Sequence, residues 1–190
     1  MKKITIRFNA PVILTFAGIS LAVLLLDGIL GQDFAYRYFC VYRAPLGDPL
    51  TYLRFFTHVL GHSNYSHYIG NMLLLLLVGP AVEDRYGSRL TLRFILITAL
   101  ITGLVQFIFF PHTALLGASG IVFMMIVLSS FTSSKRGDIP LTLILVVALY
   151  LGGEVVDGLF TADNISQLTH IIGGVCGLVF GFAVRGKKRS

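Results

Sequence analysis

The chain has 190 residues, 55% of them hydrophobic and 13% charged, with a mean hydropathy of +0.82. That is about half the charge of an ordinary soluble domain, which excludes a water-soluble globule, and the apolar residues suffice for about five or six bilayer crossings of roughly 17 to 25 residues each. The net charge of +6, from 15 basic and 9 acidic residues, would point to nucleic acid in a soluble chain; here it has first to be placed relative to a membrane.

The apolar runs come in chain order at 10–31, 66–82, 90–110, 115–132, 140–157 and 165–184. None alternates with the period of a barrel strand, and lipid requires each backbone polar group to be satisfied within its own segment, so the runs are predicted to be helices. The expected fold class is an all-α polytopic membrane protein, a bundle of six transmembrane helices forming one membrane-embedded domain over 1–190. The first run follows Met1-Lys2-Lys3 and ends at Leu26-Asp27-Gly28 without a small-residue cleavage site, so it reads as a retained signal anchor. Cys40 and Cys176 are too few for a disulfide framework and are read as unpaired.

Lys2, Lys3, Arg7, Arg85, Arg89, Arg93, Lys135, Arg136, Arg185, Lys187, Lys188 and Arg189 lie at one set of run ends, and only Arg37, Arg43 and Arg54 at the other. The positive-inside bias then makes both termini cytoplasmic and turns the long 32–57 connection and the 111–116 and 158–164 loops outward. The positive charge is a topology signal, and no nucleic-acid partner is expected.

Polar side chains at membrane depth are costly and mark function. His67, Asn71, Ser119 and His170 are four such residues. At about 1.5 Å per residue, Ser119 stands roughly 24 Å from Lys135 and His170 roughly 22 Å from Arg185; His67 and Asn71 stand roughly 27 and 21 Å from Arg85 and share a helix face. All four are expected in one layer of the outer leaflet. The fourth run, Gly117 to Thr132, is about 24 Å long against a hydrocarbon core of about 30 Å, so its start lies below the outer surface. That start reads Gly117-Ala118-Ser119-Gly120, where no bulky side chain blocks approach to the unpaired first-turn N–H groups. A serine there can attack a carbonyl while the helix N-terminus favours the developing oxyanion, with Asn71 and His67 donating from the side. The hydroxyl needs a base, and His170 lies at the matching depth. Glu154, Asp157 and Asp163 are possible orienters, but no spacing requires one, so a Ser–His dyad is expected. In the sixth run His170, Gly174, Gly177 and Gly181 fall along one face, where small residues admit a neighbouring helix.

These residues together resemble the rhomboid family of intramembrane serine proteases. The resemblance rests on His62-Ser-Asn-Tyr-Ser-His67-Tyr-Ile-Gly-Asn71, on Gly117-Ala-Ser119-Gly120, and on His170 followed by Gly173-Gly174, in matching order over about residues 50–185. It implies a rhomboid-like six-helix bundle with Ser119 as nucleophile and His170 as its base. It also implies an oxyanion hole of His67, Asn71 and the Ser119 N–H, with Gly117, Gly120 and Phe123 supporting the site. Glu83-Asp-Arg85 followed by Gly87 resembles a further family element, taken as structural. Where bacterial relatives often carry Trp-Arg in the outward loop, this chain has Leu53-Arg54, and the aromatic residue one turn after the serine is Phe123 rather than Tyr. Ring stacking on the histidine needs no hydroxyl.

The implied reaction is peptide-bond hydrolysis in or beside a transmembrane segment of another protein, in a bacterial inner membrane, through an acyl-enzyme and without metal or cofactor. Substrates are expected to carry small or helix-breaking residues near the outer face. The fifth run, with Gly152-Gly153 and Gly158 near its outer end, is the expected gate for substrate. Three rivals exist. His58-Val-Leu-Gly-His62 with His67 has the spacing of a metal cluster, but a di-iron site needs more ligands than the remaining His112 and His170 supply. A transporter would be expected to show internal repeats, and none is evident. A non-catalytic relative that binds transmembrane helices shares every packing feature and differs only in being indifferent to Ser119→Ala.

Overall fold

The structure of the protein, a computed structural model, describes residues 8–31, 33–132, 138–151 and 164–184. The described elements are α1 (Pro11–Leu30), α2 (Asp33–Phe39), α3 (Pro49–Thr57), a 3-10 turn (His58–Leu60), α4 (Tyr65–Tyr86), α5 (Ser88–Phe109), α6 (Ser119–Ser129), α7 (Leu141–Val146) leading into a π-helical turn (Val147–Leu151), and α8 (Asn164–Val184). Among the described residues there is no strand, only a single bridge between Val41 and Leu115.

Four helices, α1, α4, α5 and the Gln167–Val184 part of α8, are long and apolar enough to cross a bilayer, and α6 is a shorter apolar helix. The fifth apolar run appears as α7 and its π-helical turn. Its continuation, with Gly152, Gly153, Glu154, Asp157, Gly158 and Asp163, lies outside the described residues, as do Lys2, Lys3, Arg7, Lys135, Arg136, Arg185, Lys187, Lys188 and Arg189. Leu73, Leu77, Ile97, Phe109 and Val179 point outward from the long helices, as side chains solvated by acyl chains do.

α6 is the central helix. Every residue from Gly120 to Leu128 is buried, because α4, α5 and α8 enclose it, with α8 in the most extensive contact. That contact is made by glycines: a Cβ on Gly173 would collide with the Gly120 carbonyl oxygen, one on Gly177 with the Met124 carbonyl, and one on Gly181 with the Phe131 ring. Gly173, Gly177 and Gly181, four apart, thus seat against α6, which adds Gly173 to the Gly177 and Gly181 of the sequence reading.

α4 and α5 are joined by Gly87 alone, at φ 82, a conformation that L side chains rarely adopt. Near this turn Glu83, 3% exposed, accepts hydrogen bonds from the Val12 and Ile13 N–H groups at 3.0 Å and from Ser88 Oγ at 2.7 Å. Its carboxylate caps α1, which has no side-chain cap of its own. The Glu83-Asp-Arg85 element thus has a physical reason, the tying of α1 to the α4–α5 turn.

The connection between α1 and α4 is ordered rather than a plain loop. Asp48 caps α3 through the Leu50 N–H. Arg54, 4% exposed, donates from Nε to the Arg37 carbonyl at 2.8 Å, pairs with Asp48 and lies over the Tyr42 ring. This single guanidinium, the arginine of Leu53-Arg54, gathers α2, α3 and the segment between them without a tryptophan.

Candidate functional site

The start of α6 is held from the segment between α1 and α4. Leu115 exchanges both backbone hydrogen bonds with Val41 at 2.9 Å, and the Gly117 N–H donates to the His58 carbonyl at 2.9 Å. His58, fully buried, places Nδ1 3.1 Å from the Arg54 carbonyl and Nε2 3.2 Å from Thr102 Oγ1, so both ring nitrogens serve the scaffold. The metal reading of His58, His62 and His67 therefore fails on geometry; among the described residues no group of three His, Cys, Asp or Glu side chains is arranged to hold an ion.

These ties delay the helix. The apolar run starts at 115, yet α6 begins only at Ser119, because Leu115 is paired with Val41 and Gly117 takes φ 134. The first backbone bond into the helix is Val122 N–H to the Ala118 carbonyl. The N–H groups of Ser119, Gly120 and Ile121 therefore have no intrahelical acceptor. At 11 residues the helix is about 16 Å long, far less than the thickness of a hydrocarbon core.

Ser119, His67, Asn71 and His170 line one open cavity of about 350 Å³, together with Phe123, Ser66, Gly70, Leu74 and Val122. Its walls come from α4, α6 and α8. The His170 ring lies flat on Phe123, centroids 4.3 Å apart and planes within 6°, so the imidazole is oriented by stacking, and Phe123 does this without a hydroxyl. Asn71, 7% exposed, donates from Nδ2 to the His67 carbonyl at 3.2 Å. An amide nitrogen has two hydrogens, which leaves one for the cavity.

Gly117 is required twice over. Its φ lies where L residues are strained, and a Cβ there would stand 2.8 Å from Cε1 and 2.9 Å from Nε2 of His67. The His67 ring thus rests on the backbone two residues before Ser119. Gly120 faces away from the cavity into the α6–α8 contact, where its Cβ would meet Thr169 Cγ2 at 3.2 Å and Thr102 Cγ2 at 3.3 Å. Behind His67 stands the buried His62, its ring 5.0 Å from that of His67 and 5.5 Å from Tyr68. Burial, and to a lesser degree the charge of His67, pushes the His62 pKa down to about 4, so His62 is a neutral packing ring near pH 7.

Of the seven positions named from the sequence, Ser119, His170, His67, Asn71 and Phe123 line this cavity, Gly117 packs against the His67 ring, and Gly120 faces the α6–α8 contact instead. Ser63 and Asn64, beside His67, carry contacts that sequence reasoning passed over; the signal was present, since an Asn three residues before a helical position is an N-cap pattern.

A model of the Rhomboid domain matches residues 49–187. The chain belongs to the rhomboid family. Among its relatives, Rhomboid-related protein 1 of Caenorhabditis elegans is 29% identical over 69% of this chain and 39% of its own length. Rhomboid protease GluP of Bacillus subtilis is 34% identical over 72% of this chain and 27% of its own length. Rhomboid protease GlpG of an Enterobacter species is 27% identical over 98% of this chain and 68% of its own length. The chain thus spans well under two thirds of the first two. With the rhomboid domain and its apolar helices, the protein is an integral membrane protein of a family that includes bacterial proteases.

Proposed function

We propose that this protein is an intramembrane serine endopeptidase that cleaves transmembrane segments of other membrane proteins near the outer leaflet with a Ser119–His170 dyad. The observation that carries the reading is the sharing of one cavity by Ser119, His170, His67 and Asn71 from three helices. Its supports are the stacked His170 ring and the relatives named as rhomboid proteases.

In the proposed reaction Ser119 Oγ attacks the scissile carbonyl as His170 takes its proton. The negative oxygen is met by the Ser119 N–H, the free hydrogen of Asn71 Nδ2 and the His67 ring. His170 then protonates the leaving amine, and water, activated by the same ring, releases the acyl-enzyme. An open cavity at a polar helix start admits that water; polar backbone is tolerated at depth only where it lines such a space. A substrate helix has to expose a carbonyl, so small or helix-breaking residues near its outer end favour cleavage. The bilayer and transmembrane proteins are the partners in this reading, with no nucleic acid and no cofactor. Both termini face the cytoplasm of a bacterial inner membrane.

The test is cleavage of a transmembrane reporter by the purified protein in proteoliposomes, with the cut mapped by mass spectrometry. A cut near the reporter's outer end that Ser119→Ala abolishes, while reporter binding persists, supports the reading. An intact reporter that still binds supports the helix-binding alternative instead.

A further inference from the structure

Ser63 and Asn64 begin a chain of hydrogen bonds that ends on His67. Asn64 caps α4, its Oδ1 accepting from the His67 backbone N–H at 2.9 Å. That bond orients the amide, since only its oxygen accepts, and turns Nδ2 toward Ser63 Oγ, to which it donates at 3.3 Å. Ser63 Oγ, with one lone pair engaged by Asn64, lies 3.2 Å from His67 Nδ1, and the serine hydrogen is available for that contact. An imidazole whose Nδ1 accepts carries its hydrogen on Nε2. Nε2 is on the ring edge that rests against Gly117, two residues from Ser119. The opposite tautomer would turn a lone pair toward the position where negative charge develops.

We propose that Ser63 and Asn64 are positioning residues that hold His67 as its Nε2–H tautomer, so that a donor, not a lone pair, faces the oxyanion. The catalytic part of this proposal rests on the assignment of His67 to the oxyanion hole; the tautomer itself does not. His62 packs edge-on to the His67 ring, centroids 5.0 Å apart, and His170 is a further titratable group facing the cavity. Asn64 does two jobs through one amide: its oxygen starts the helix, and its nitrogen sets the direction of the serine hydroxyl.

The experiment uses full-length protein labelled with ¹⁵N-histidine in lipid nanodiscs at pH 8, with the His67 signal identified by its loss in His67→Gln. Ring-nitrogen shifts separate the two tautomers. Wild type is expected as Nε2–H, Ser63→Ala as a mixture, and Ser63→Thr as Nε2–H again. In the reporter assay Ser63→Ala is expected to lower kcat about 5- to 20-fold with KM unchanged, a fraction of the 10²- to 10³-fold attached to a whole oxyanion donor. Ser63→Thr is expected to restore most of that loss. In a His67→Ala background Ser63→Ala should cost less than about twofold, because the two residues act as one unit. A His67 tautomer indifferent to Ser63→Ala overturns the proposal, and so does an equal kcat loss in the His67→Ala background. Absence of turnover in wild type counts against the protease reading alone, since the spectra still decide the relay.

Discussion

Gly117→Ala is the substitution for which the structure sets the cost most directly. The new Cβ lies 2.8 Å from His67 Cε1, where ordinary contact begins at 3.4 Å, so either the ring or the α6 entry withdraws by about half an ångström. At φ 134 an alanine is strained as well, and such backbone costs about 1–3 kcal/mol. The entry cannot move freely, because the Gly117 N–H is bonded to the His58 carbonyl and Leu115 to Val41. The ring is the softer partner, held on its other side by Ser63 and His62. A displaced oxyanion donor, by the usual worth of such groups, lowers kcat about 100-fold. The assay is reporter cleavage in proteoliposomes, with Gly87→Ala as control. Gly87 shares the positive φ, at 82, but its Cβ would meet nothing within 4 Å, so that variant should lose stability and keep its turnover. Folded Gly117→Ala that turns over within about twofold of wild type would refute the reasoning.

Three further outcomes are expected. Glu83→Ala removes the acceptor for the Val12 and Ile13 N–H groups and should destabilise the protein by about 3 kcal/mol, read as a lowered denaturation midpoint in detergent; a change under about 0.5 kcal/mol would contradict the capping role. His58 and His62 are kept neutral by burial, with pKa values pushed from 6.5 down to about 4. The unfolded chain binds protons that the folded one refuses, so their contribution is present above pH 6.5 and is lost as pH falls from 6.5 towards 4. A thermal midpoint that stays flat across that window would count against it. Phe123→Tyr keeps the stacked ring and should retain turnover, whereas Phe123→Ala should lose about 2- to 10-fold, the worth of an aromatic pair; equal activity of the two variants would remove stacking from the explanation.

The long helices and the polar layer were legible because both are written locally. Runs of apolar residues declare α1, α4, α5 and α8, and polar residues at depth have few ordinary reasons to be there. The depth argument from basic anchors leads to four residues that are among those lining the cavity, although Lys135 and Arg185 themselves lie outside the described residues. What was not legible depends on distant partners. Nothing near Glu83 in the chain shows that it caps a helix starting at Pro11, some 70 positions away. The late start of α6 depends on Val41 and His58, so an apolar run from 115 to 132 overstated the helix. α2 and α3 are short and half polar, and their order comes from Arg54 and Asp48 rather than from hydropathy. That Gly173 seats against α6 was not legible either, because positions three and four before Gly177 flank it on the helix face about equally well, and the contact with the Gly120 carbonyl is made by a distant segment.

The central claim is that Ser119 is an activated nucleophile, and labelling of the purified, folded protein with a fluorophosphonate probe tests it most directly. Wild type should be labelled on Ser119, and Ser119→Ala and His170→Ala, shown to be folded, should not. A folded wild type that takes no label and leaves a transmembrane reporter intact would contradict the claim and leave this rhomboid fold as a binder of transmembrane helices.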